Sequence, residues 1–356
     1  QTYRQYCLTP VARWSLTTDI TNYRWAIDDT SKWAFVAWDE PRTINADGDT
    51  VHAVFVQKID RNGVPRWTNN GVRVDNANNT ACKPDICYDG QGGAYVVWQQ
   101  TDGAGGNPYI MYCRVRYDGT VMWGPRTPLD INSDPIAGNS HSARIAHAFY
   151  DDVNSYQKMG WIVFLNDDGG NHVRYFCRFL HSSGTMDITA QSTGSVSPQY
   201  DPILVSDRWG GVYLLTHGAG TIHVEHIGGD YNSTPYIGYH DIPAYPPDGE
   251  FGGYDIAVDP IWSRQSALDR PVYPYDALVA YSYATAPPAK SDIWAARFFN
   301  DPRMQNARDF DLYGYVQLTD NNLGGNPNQG ESRYPSIDCA FQDSTGDYTG
   351  DAIVAW

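Results

Sequence analysis

Pro84 to Trp98 reads PDICYDGQGGAYVVW, and the chain continues from Tyr109 to Trp123 as YIMYCRVRYDGTVMW. Apolar side chains fill every position from Ala94 to Trp98, which is typical of a strand packed on both faces, and Gly92-Gly93 before it favours a turn. A second strand starts at Tyr109 and ends before Asp118-Gly119, a pair that accepts the positive backbone angles of a tight hairpin. With a further strand on either side, this stretch predicts a four-stranded antiparallel meander.

The same pattern recurs along the chain. Pro202 to Leu215, PILVSDRWGGVYLL, matches Pro84 to Val97 at an offset of 118 residues, twice 59, and a weaker copy starts between them at Ala143. From Trp38 in an upstream copy to Trp356 in the last one, the chain spans 318 residues in five steps. Repeats of roughly 40 to 60 residues or more that hold four strands are typical of propeller blades.

The predicted fold class is therefore all-β: one β-propeller domain over residues 1–356, with six four-stranded blades as the favoured count and seven as the alternative. Residues 1–19 resemble third and fourth strands, and 332–356 resembles first and second strands. Joining both ends in one sheet would remove two exposed edges, so the N-terminal segment is predicted to close the last blade. The alternative is that another blade or a tail follows Trp356. The predicted blades span about 20–80, 81–139, 140–198, 199–250, 251–331, and 332–356 with 1–19.

Composition indicates an extracellular protein. Aromatic residues make up 14% of the chain and charged residues 19%, which suits sheets packed on Trp, Tyr and Phe. A formal net charge of −16, spread over the loops, disfavours nucleic acid as a partner. The apolar runs are too short for a transmembrane segment. Gln1 is interpreted as the residue left after a signal peptide was removed, so the expected location is secreted or at the cell surface.

The cysteines are interpreted mainly as core residues. Cys7, Cys113 and Cys177 each follow Tyr or Phe in the third strand of a different blade, too far apart to pair. Cys82 and Cys87 are close enough to form a disulfide, although Pro84 between them makes the geometry uncertain. Because a chain of 356 residues can build its own core, free buried thiols are favoured over a disulfide framework.

The repeated motifs carry a family resemblance. The series Pro-x-Ile, Asp-Gly-x-Gly-Gly-Ala-Tyr-Val-Val-Trp and Ile-Met-Tyr-Cys-Arg, followed by Asp-Gly and a Trp, resembles the propeller repeats of secreted surface proteins from Bacteroidota and related bacteria. Many of those proteins are exported by the type IX secretion system. The resemblance covers nearly the whole chain. Because the shared motifs are structural, it implies architecture and compartment more than activity.

No sequence motif assigns a catalytic residue. The run from Ser206 to Gly210 lacks the spacing of the Ser-x-Asp-x-Gly-x-x-Trp boxes found in sialidase-type propellers. The sequence also has no Gly-x-Ser-x-Gly elbow, no HExxH helix and no phosphate-binding loop. Catalysis, if present, would have to use side chains that only the folded chain brings together.

The strongest metal candidate is the acidic loop from Asp343 to Asp351, DSTGDYTGD. Oxygen-bearing side chains at alternate positions, with glycines that permit a sharp turn, are the ligands that Ca²⁺ prefers. The candidate calcium ligands are Asp343, Thr345, Asp347 and Asp351. The alternative is a solvated hairpin loop. A second acidic loop, from Asn45 to Asp49, is interpreted as an ordinary turn.

Two further clusters lie between residues 217 and 245. His223 and Glu225 share a face of a strand while His226 points away, so this histidine-rich segment with His217 is not expected to hold one metal. The following loop is rich in aromatic residues that could stack on sugar rings. Its ligand-binding candidates are Tyr231, Tyr236, Tyr239, His240 and Tyr245. The alternative is the ordinary packing of a Pro-rich loop.

The absence of a catalytic motif favours a secreted or cell-surface β-propeller that acts as a non-catalytic platform for binding, adhesion or protein interaction. Its expected partner is a surface glycan or a protein. Two alternatives stay open: a structural subunit of a surface assembly, and a secreted polysaccharide hydrolase or lyase. Fold alone does not decide among them.

Overall fold

A computed structural model gives the structure of the protein. It describes residues 22–28, 33–44, 50–68, 70–75, 79–101, 106–123, 139–148, 159–168, 171–180, 182–193, 202–207, 210–218, 221–228, 236–243, 250–259, 276–284, 291–300, 310–319, 335–339 and 352–356. Within these ranges the regular secondary structure is β-strand, without a helix. The chain divides into two compact units, residues 1–147 with 157–195 and residues 148–156 with 196–356, and each is described by itself.

The strands of the first unit form three four-stranded sheets. Sheet 1 comprises β1 (Asn22–Asp28), β2 (Trp33–Ile44), β3 (Thr50–Ile59) and β4 (Val72–Arg73). Sheet 2 comprises β5 (Thr80–Tyr88), β6 (Ala94–Thr101), β7 (Tyr109–Val115) and β8 (Val121–Met122). Sheet 3 comprises β9 (Asn139–Ala148), β10 (Met159–Asp168), β11 (Asn171–Leu180) and β12 (Met186–Thr193).

The strands of the second unit form two four-stranded sheets and a strand pair. Sheet 4 comprises β13 (Ile203–Ser206), β14 (Val212–Gly218), β15 (Thr221–Gly228) and β16 (Tyr236–Pro243). Sheet 5 comprises β17 (Glu250–Asp259), β18 (Asp276–Ala284), β19 (Asp292–Asn300) and β20 (Phe310–Gln317). The pair, sheet 6, comprises β21 (Ser336–Cys339) and β22 (Ala352–Ala355).

Each four-stranded sheet is a meander in which strands adjacent in sequence are hydrogen-bonded neighbours. In sheet 2, β6 and β7 pair antiparallel from Ala94 opposite Val115 to Gln100 opposite Tyr109. The turn that follows contains Gly119 at φ 87°, a backbone angle that glycine adopts without strain. The predicted meander and its Asp118-Gly119 turn are therefore confirmed.

The glycine before the second strand allows the third strand to approach closely. A Cβ atom on Gly93 would lie 2.2 Å from the carbonyl oxygen of Val115, and one on Gly211 would lie 2.2 Å from that of Ile227. Both contacts are with backbone, which cannot move aside cheaply. The recurrent Gly-Gly of the repeat is therefore a packing requirement as well as a turn signal.

Neighbouring sheets bury apolar side chains between their faces. Sheets 1 and 2 share a core that includes Phe35, Val96 and Trp98. Sheets 2 and 3 share another, in which the Tyr95 and Phe179 rings meet edge to face with centroids 4.9 Å apart. In the second unit, sheets 4 and 5 share a core that is also built from aromatic and β-branched residues, including Tyr213, Val224, Val279 and Phe298.

The fold class is all-β, built from the four-stranded antiparallel sheets of a β-propeller, as predicted. The number of blades and the closure of the last blade by residues 1–19 stay predictions, since residues 1–21 lie outside the described part of the chain.

Among the described cysteines, Cys82, Cys87, Cys113 and Cys177 are free thiols, and the last two are buried. Cys7 lies outside the described ranges. No helix in the part of the chain that the structure describes is long and apolar enough to cross a membrane.

Candidate functional site

The two ends of each four-stranded sheet differ in chemistry. We call the end that holds the turn between the first and second strands the latch end. We call the opposite end, where the second strand stops and the third begins, the polar end. Because the repeat places both ends at corresponding positions in every sheet, a feature shared by all sheets is attributed to the scaffold, and a feature confined to one sheet is a candidate for function.

The same arrangement of hydrogen bonds occurs at the latch end of sheets 2 and 4. In sheet 2, Asp89 accepts hydrogen bonds from the backbone N–H of Gly93 at 2.8 Å and from Nε of Arg114 at 2.8 Å. In sheet 4, Asp207 accepts the N–H of Gly211 at 2.8 Å and contacts Nε2 of His226 at 2.9 Å. In both cases a buried acid ties the hairpin turn to a basic residue on the third strand.

That basic residue recurs at one register position in all five four-stranded sheets. It lies opposite the second-strand residue Phe35, Tyr95, Trp161, Tyr213 or Leu278 in the five sheets. The basic residues are Lys58, Arg114, Arg178, His226 and Arg297. The latch is therefore part of the scaffold, since a catalytic group would not be needed in every blade.

The polar end is built differently in each sheet. Each second strand carries polar residues beyond its central apolar run, and several of them are almost completely buried. The polar residues are Asp39 and Glu40, Gln99 and Gln100, Asn166 and Asp167, Thr216 and His217, and Ser282. Buried polar groups cost stability unless they are hydrogen-bonded, so each set needs its own partners.

In sheet 1 the polar end centres on Asp39, which is fully buried. One carboxylate oxygen accepts hydrogen bonds from Nδ2 of Asn22 at 2.7 Å and from the backbone N–H of Lys83 at 2.8 Å. Nδ1 of His52 lies 3.6 Å from the other oxygen. Burial, and secondarily the charge of Asp39, raises the pKa of the neighbouring Cys82 thiol to about 11. These contacts join sheet 1 to the first strand of sheet 2.

In sheet 3 the polar end holds a chain of three functional groups. Oγ of Ser142 lies 3.0 Å from Nδ1 of His141, and Nε2 of the same imidazole lies 3.1 Å from Oδ2 of Asp167. Beside them, Nδ2 of Asn166 donates to Oγ of Ser140 at 2.9 Å. Sequence reasoning missed this group because Asp167 lies 26 residues after His141, too far for a local pattern to connect them.

In sheet 4 one face carries five polar or aromatic side chains. The pairing places Thr216 and Asp241 on either side of His223, and Tyr239 opposite Glu225. Residues that face each other across antiparallel strands project from the same side, so all five share a face. Nδ1 of His223 lies 2.5 Å from Oδ1 of Asp241.

Burial differs sharply within this group. Glu225 is 2% exposed and Thr216 is 1% exposed, whereas Tyr239 is 72% exposed. The carboxyl group of Asp241 is about half exposed. The face therefore combines a buried carboxyl group, a solvent-reaching carboxylate held by an imidazole, and an open aromatic ring.

The other face of sheet 4 is part of the core. His226 stacks on Tyr213 with ring centroids 4.4 Å apart. The ring of His217 lies 5.9 Å from that of Tyr254, and burial, with a smaller contribution from the charge of His223, lowers the pKa of His217. The prediction that His223 and Glu225 share a face while His226 points away is confirmed. The described residues contain no cluster of three or more His, Cys, Asp or Glu side chains suited to a metal ion.

The predicted aromatic loop is partly a strand. Tyr236, Tyr239 and His240 belong to β16, the fourth strand of sheet 4. Tyr239 lies on the same face as Glu225 and is exposed. The ring of His240 packs edge to face against Phe298 of sheet 5, with centroids 5.6 Å apart. The run looked like a loop because Pro, Gly and Tyr are frequent in it, but strand pairing overrode that tendency.

Several predicted sites lie outside the described ranges. They are Tyr231 and Tyr245 of the aromatic segment, the calcium-ligand candidates Asp343, Thr345, Asp347 and Asp351, and the acidic turn 45–49. Ligand binding by the aromatic residues and calcium binding both stay predictions.

The first strands carry a second repeated link. Oδ2 of Asp85 in β5 accepts the N–H of Ile145 in β9 at 2.9 Å, and Oδ2 of Asp255 in β17 accepts the N–H of Ile337 in β21 at 3.0 Å. Burial raises the pKa of both carboxyl groups, and the hydrogen bonds partly oppose that shift. Since the link recurs in both units, we assign it to the scaffold.

Comparison with known proteins gives fold neighbours only. No protein-family model and no curated protein matches the chain. Among solved structures, the NanB sialidase from Streptococcus pneumoniae is 10% identical with a TM-score of 0.37, over 90% of this chain and 51% of that chain. The intramolecular trans-sialidase from Ruminococcus gnavus is 10% identical with a TM-score of 0.38, over 90% and 87%. An alpha-L-arabinofuranosidase from Clostridium thermocellum is 12% identical with a TM-score of 0.30, over 87% and 97%.

The main expectation about function needs correction. The chain was expected to be a non-catalytic platform for binding, adhesion or protein interaction, whereas these neighbours are enzymes by name. The polysaccharide hydrolase named as an alternative agrees with them better. The chain spans about half the length of the sialidase, and its identity to each neighbour is too low to transfer an activity. Any assignment of chemistry must therefore rest on the residues of this chain.

Proposed function

We propose that this protein cleaves polysaccharide, as a glycoside hydrolase or lyase, with Glu225 and Asp241 on the polar face of sheet 4 as its acid and base. The observation that carries the proposal is the arrangement of these two carboxyl groups on adjacent strands, beside an exposed aromatic ring. Cleavage of a glycosidic bond usually requires such a pair.

The register places the two acidic residues next to each other. Glu225 faces Tyr239, and Asp241 lies two residues further along β16, so the acids are diagonal neighbours. The Cα atoms of diagonal neighbours on antiparallel strands are about 7–8 Å apart, within reach of one sugar unit for side chains on the same face.

Burial distinguishes the two roles. Glu225 is 2% exposed, so the proposed role as proton donor requires the local structure to open and admit the leaving oxygen to its carboxyl group. Asp241 reaches solvent and therefore suits the base that activates a water molecule or removes a sugar proton. His223 acts as a positioning residue, because its imidazole contacts Asp241 at 2.5 Å. Tyr239 offers an exposed ring on which a sugar can stack.

Product release from a panel of neutral and acidic polysaccharides tests the proposal. A hydrolase releases reducing ends, whereas a lyase acting on uronic acids also creates a double bond that absorbs ultraviolet light. Glu225→Gln and Asp241→Asn are each expected to lower kcat by about 10²-fold or more with an unchanged melting temperature. Asp118→Asn, in an exposed turn of sheet 2, is the control and should retain activity. Activity that survives both substitutions would contradict the assignment.

Tyr239 can be tested against a matched tyrosine. Tyr315 lies on β20, the fourth strand of sheet 5, and is 66% exposed compared with 72% for Tyr239. Tyr239→Ser should raise KM because it removes a stacking surface, whereas Tyr315→Ser should not. Equal effects of the two substitutions would show that Tyr239 has no special role in sugar binding.

We also propose an extracellular setting for this activity. The acidic, aromatic-rich composition and the likeness of the repeats to those of secreted Bacteroidota proteins support a secreted or surface location and export by the type IX secretion system, with a surface glycan as substrate.

For the loop from Asp343 to Asp351 we propose calcium as a structural ion, supported by its alternating oxygen ligands. Ca²⁺ at a hundredfold excess over its Kd should stabilise the fold by about 2.7 kcal/mol. Equal melting temperatures in calcium and in chelator would contradict this.

A further inference from the structure

We propose that Ser142, His141 and Asp167 form a second catalytic centre, which cleaves carboxylic esters of small acyl groups. This activity goes beyond the proposed cleavage of glycosidic bonds and uses residues of the other unit. It would remove acyl groups such as acetyl from the hydroxyl groups of a sugar chain.

The distances match those of an activated serine nucleophile. Oγ of Ser142 lies 3.0 Å from Nδ1 of His141, within the roughly 2.6–3.2 Å needed for proton transfer. Nε2 of His141 lies 3.1 Å from Oδ2 of Asp167, so the third group orients the imidazole. With the proton on Nε2 donated to Asp167, Nδ1 is free to accept the hydroxyl proton of Ser142.

The backbone explains how adjacent residues come into contact. Neighbouring side chains on a regular strand project to opposite faces, so His141 and Ser142 would ordinarily point apart. Ser142 has φ 53°, in the left-handed region that residues other than glycine rarely adopt. This turn of the backbone brings the hydroxyl group to the imidazole.

The positive φ angle occurs at the same position in sheets 2 and 3, but only sheet 3 has a serine and a histidine there. Lys83, which lies 59 residues before Ser142 at the corresponding position of sheet 2, has φ 51°. The residue before it is Cys82, where sheet 3 has His141. The repeat thus supplies a bulge that redirects a side chain, and sheet 3 places a nucleophile and a base there.

Exposure favours a small acyl substrate. Ser142 is 9% exposed, so a bulky acyl group would have little room around its hydroxyl. The side chains of His141 and Asp167 are 24% and 34% exposed, so the centre is open to solvent on one side. An acetyl ester at the protein surface is therefore the substrate best able to reach the Ser142 hydroxyl.

The reaction balances with water as the only co-substrate. Oγ of Ser142 attacks the ester carbonyl carbon while its proton passes to Nδ1 of His141, and Asp167 stabilises the resulting imidazolium. The carbon–oxygen bond to the alcohol then breaks, and the alcohol leaves with the proton from Nδ1. Water, deprotonated by His141, cleaves the acyl-serine to give a carboxylic acid and restores the Ser142 hydroxyl.

A fluorophosphonate probe and p-nitrophenyl acetate test this centre directly. The probe should label Ser142, as located by peptide mass spectrometry, and the ester should be hydrolysed. Ser142→Ala should abolish labelling and lower kcat/KM by about 10²-fold or more. His141→Gln should do the same, and Asp167→Asn should lower kcat with little change in KM because Asp167 acts through His141.

Two controls separate this centre from structural effects and from the glycan site. Ser183→Ala, in an exposed turn at the latch end of sheet 3, should leave labelling and hydrolysis unchanged. Ser142→Cys keeps the side-chain volume and should react with iodoacetamide faster than the buried Cys177 if the position is activated. Glu225→Gln should leave ester hydrolysis intact, and Ser142→Ala should leave polysaccharide cleavage intact. Lack of labelling of the wild-type protein, or undiminished hydrolysis by folded Ser142→Ala, would overturn the inference.

Discussion

The latch end and the polar end of the same sheet show how a repeat separates stability from chemistry. At the latch end of sheet 4, Asp207 and His226 are both fully buried and tie the turn to the third strand. At its polar end, His223 contacts Asp241, whose carboxyl group reaches solvent. A carboxylate bonded to the third-strand basic residue also occurs in sheets 2 and 5, whereas the polar groups at the other end differ between the sheets, so the polar end is the better candidate for chemistry.

The largest expected effect is the loss of a latch acid. Asp207→Ala would remove the carboxylate that bonds both the buried His226 imidazole and the backbone N–H of Gly211, and each lost hydrogen bond to a buried group costs about 1–3 kcal/mol. Urea unfolding should therefore show a markedly lower midpoint for Asp207→Ala. Asp241→Ala, whose carboxyl group is half exposed, should change the midpoint little. Similar losses for the two variants would remove the distinction between the ends.

The next effect comes from backbone contact at the latch end. Gly211→Ala would place a Cβ atom 2.2 Å from the carbonyl oxygen of Ile227, whereas a Cβ on Gly314 would meet no atom within 4 Å. Overpacking of this kind costs about 1–3 kcal/mol or more. Gly314→Ala is the matched control and should be neutral or slightly stabilising. Thermal melting of both variants measures the difference, and a neutral Gly211→Ala would show that the strands can separate at no cost.

A smaller effect, with opposite signs for stability and activity, is expected at Thr216. Its hydroxyl oxygen is buried and has no hydrogen-bond partner among the described residues. Thr216→Val keeps the shape of the side chain and removes the buried hydroxyl, so stability should be unchanged or higher by about 1 kcal/mol. If the hydroxyl contributes to the glycan site beside His223, polysaccharide cleavage should fall in the same variant. Destabilisation without a loss of activity would show that Thr216 serves the scaffold.

The smallest effect concerns the thiol beside Asp39. The pKa of Cys82 is raised to about 11, chiefly by burial and secondarily by the Asp39 charge, so at pH 8 little thiolate is present. Alkylation of Cys82 should accelerate as pH rises toward that value, because the thiolate is the reactive form. Asp39→Asn removes the smaller of the two effects that raise the pKa of Cys82 and should speed alkylation at pH 8 by roughly two- to tenfold. Mass spectrometry of the labelled peptide measures this, with Cys113 as the unreactive control; a rate unaffected by the substitution would show that Asp39 does not act on the thiol.

The sequence predicted the elements that depend on local pattern. The apolar run from Ala94 to Trp98, the Gly92-Gly93 turn and the Asp118-Gly119 hairpin were sufficient to identify the meander and its repetition. The opposite orientations of His223 and His226 also followed from strand alternation alone. The segment around Tyr236 to Pro243 was predicted less well, because its composition is typical of loops and only pairing with β15 makes it a strand.

The candidate sites needed information that no local pattern contains. Asp241 meets His223 because β15 and β16 pair in one register, and a shift of one residue would turn Asp241 to the other face. Ser142 meets His141 because a backbone bulge overrides strand alternation, and Asp167 arrives from the next strand.

By itself, therefore, the amino-acid sequence determined the all-β class, the repeated four-stranded unit and the glycines that its turns and close strand contacts require, since each of these follows from local preferences and a constant spacing. The tertiary structure alone decided which acids and bases come together at the ends of the sheets. The physical reason is that side-chain proximity across strands depends on register and backbone angles, which are set by packing of the whole sheet and not by neighbours in the chain.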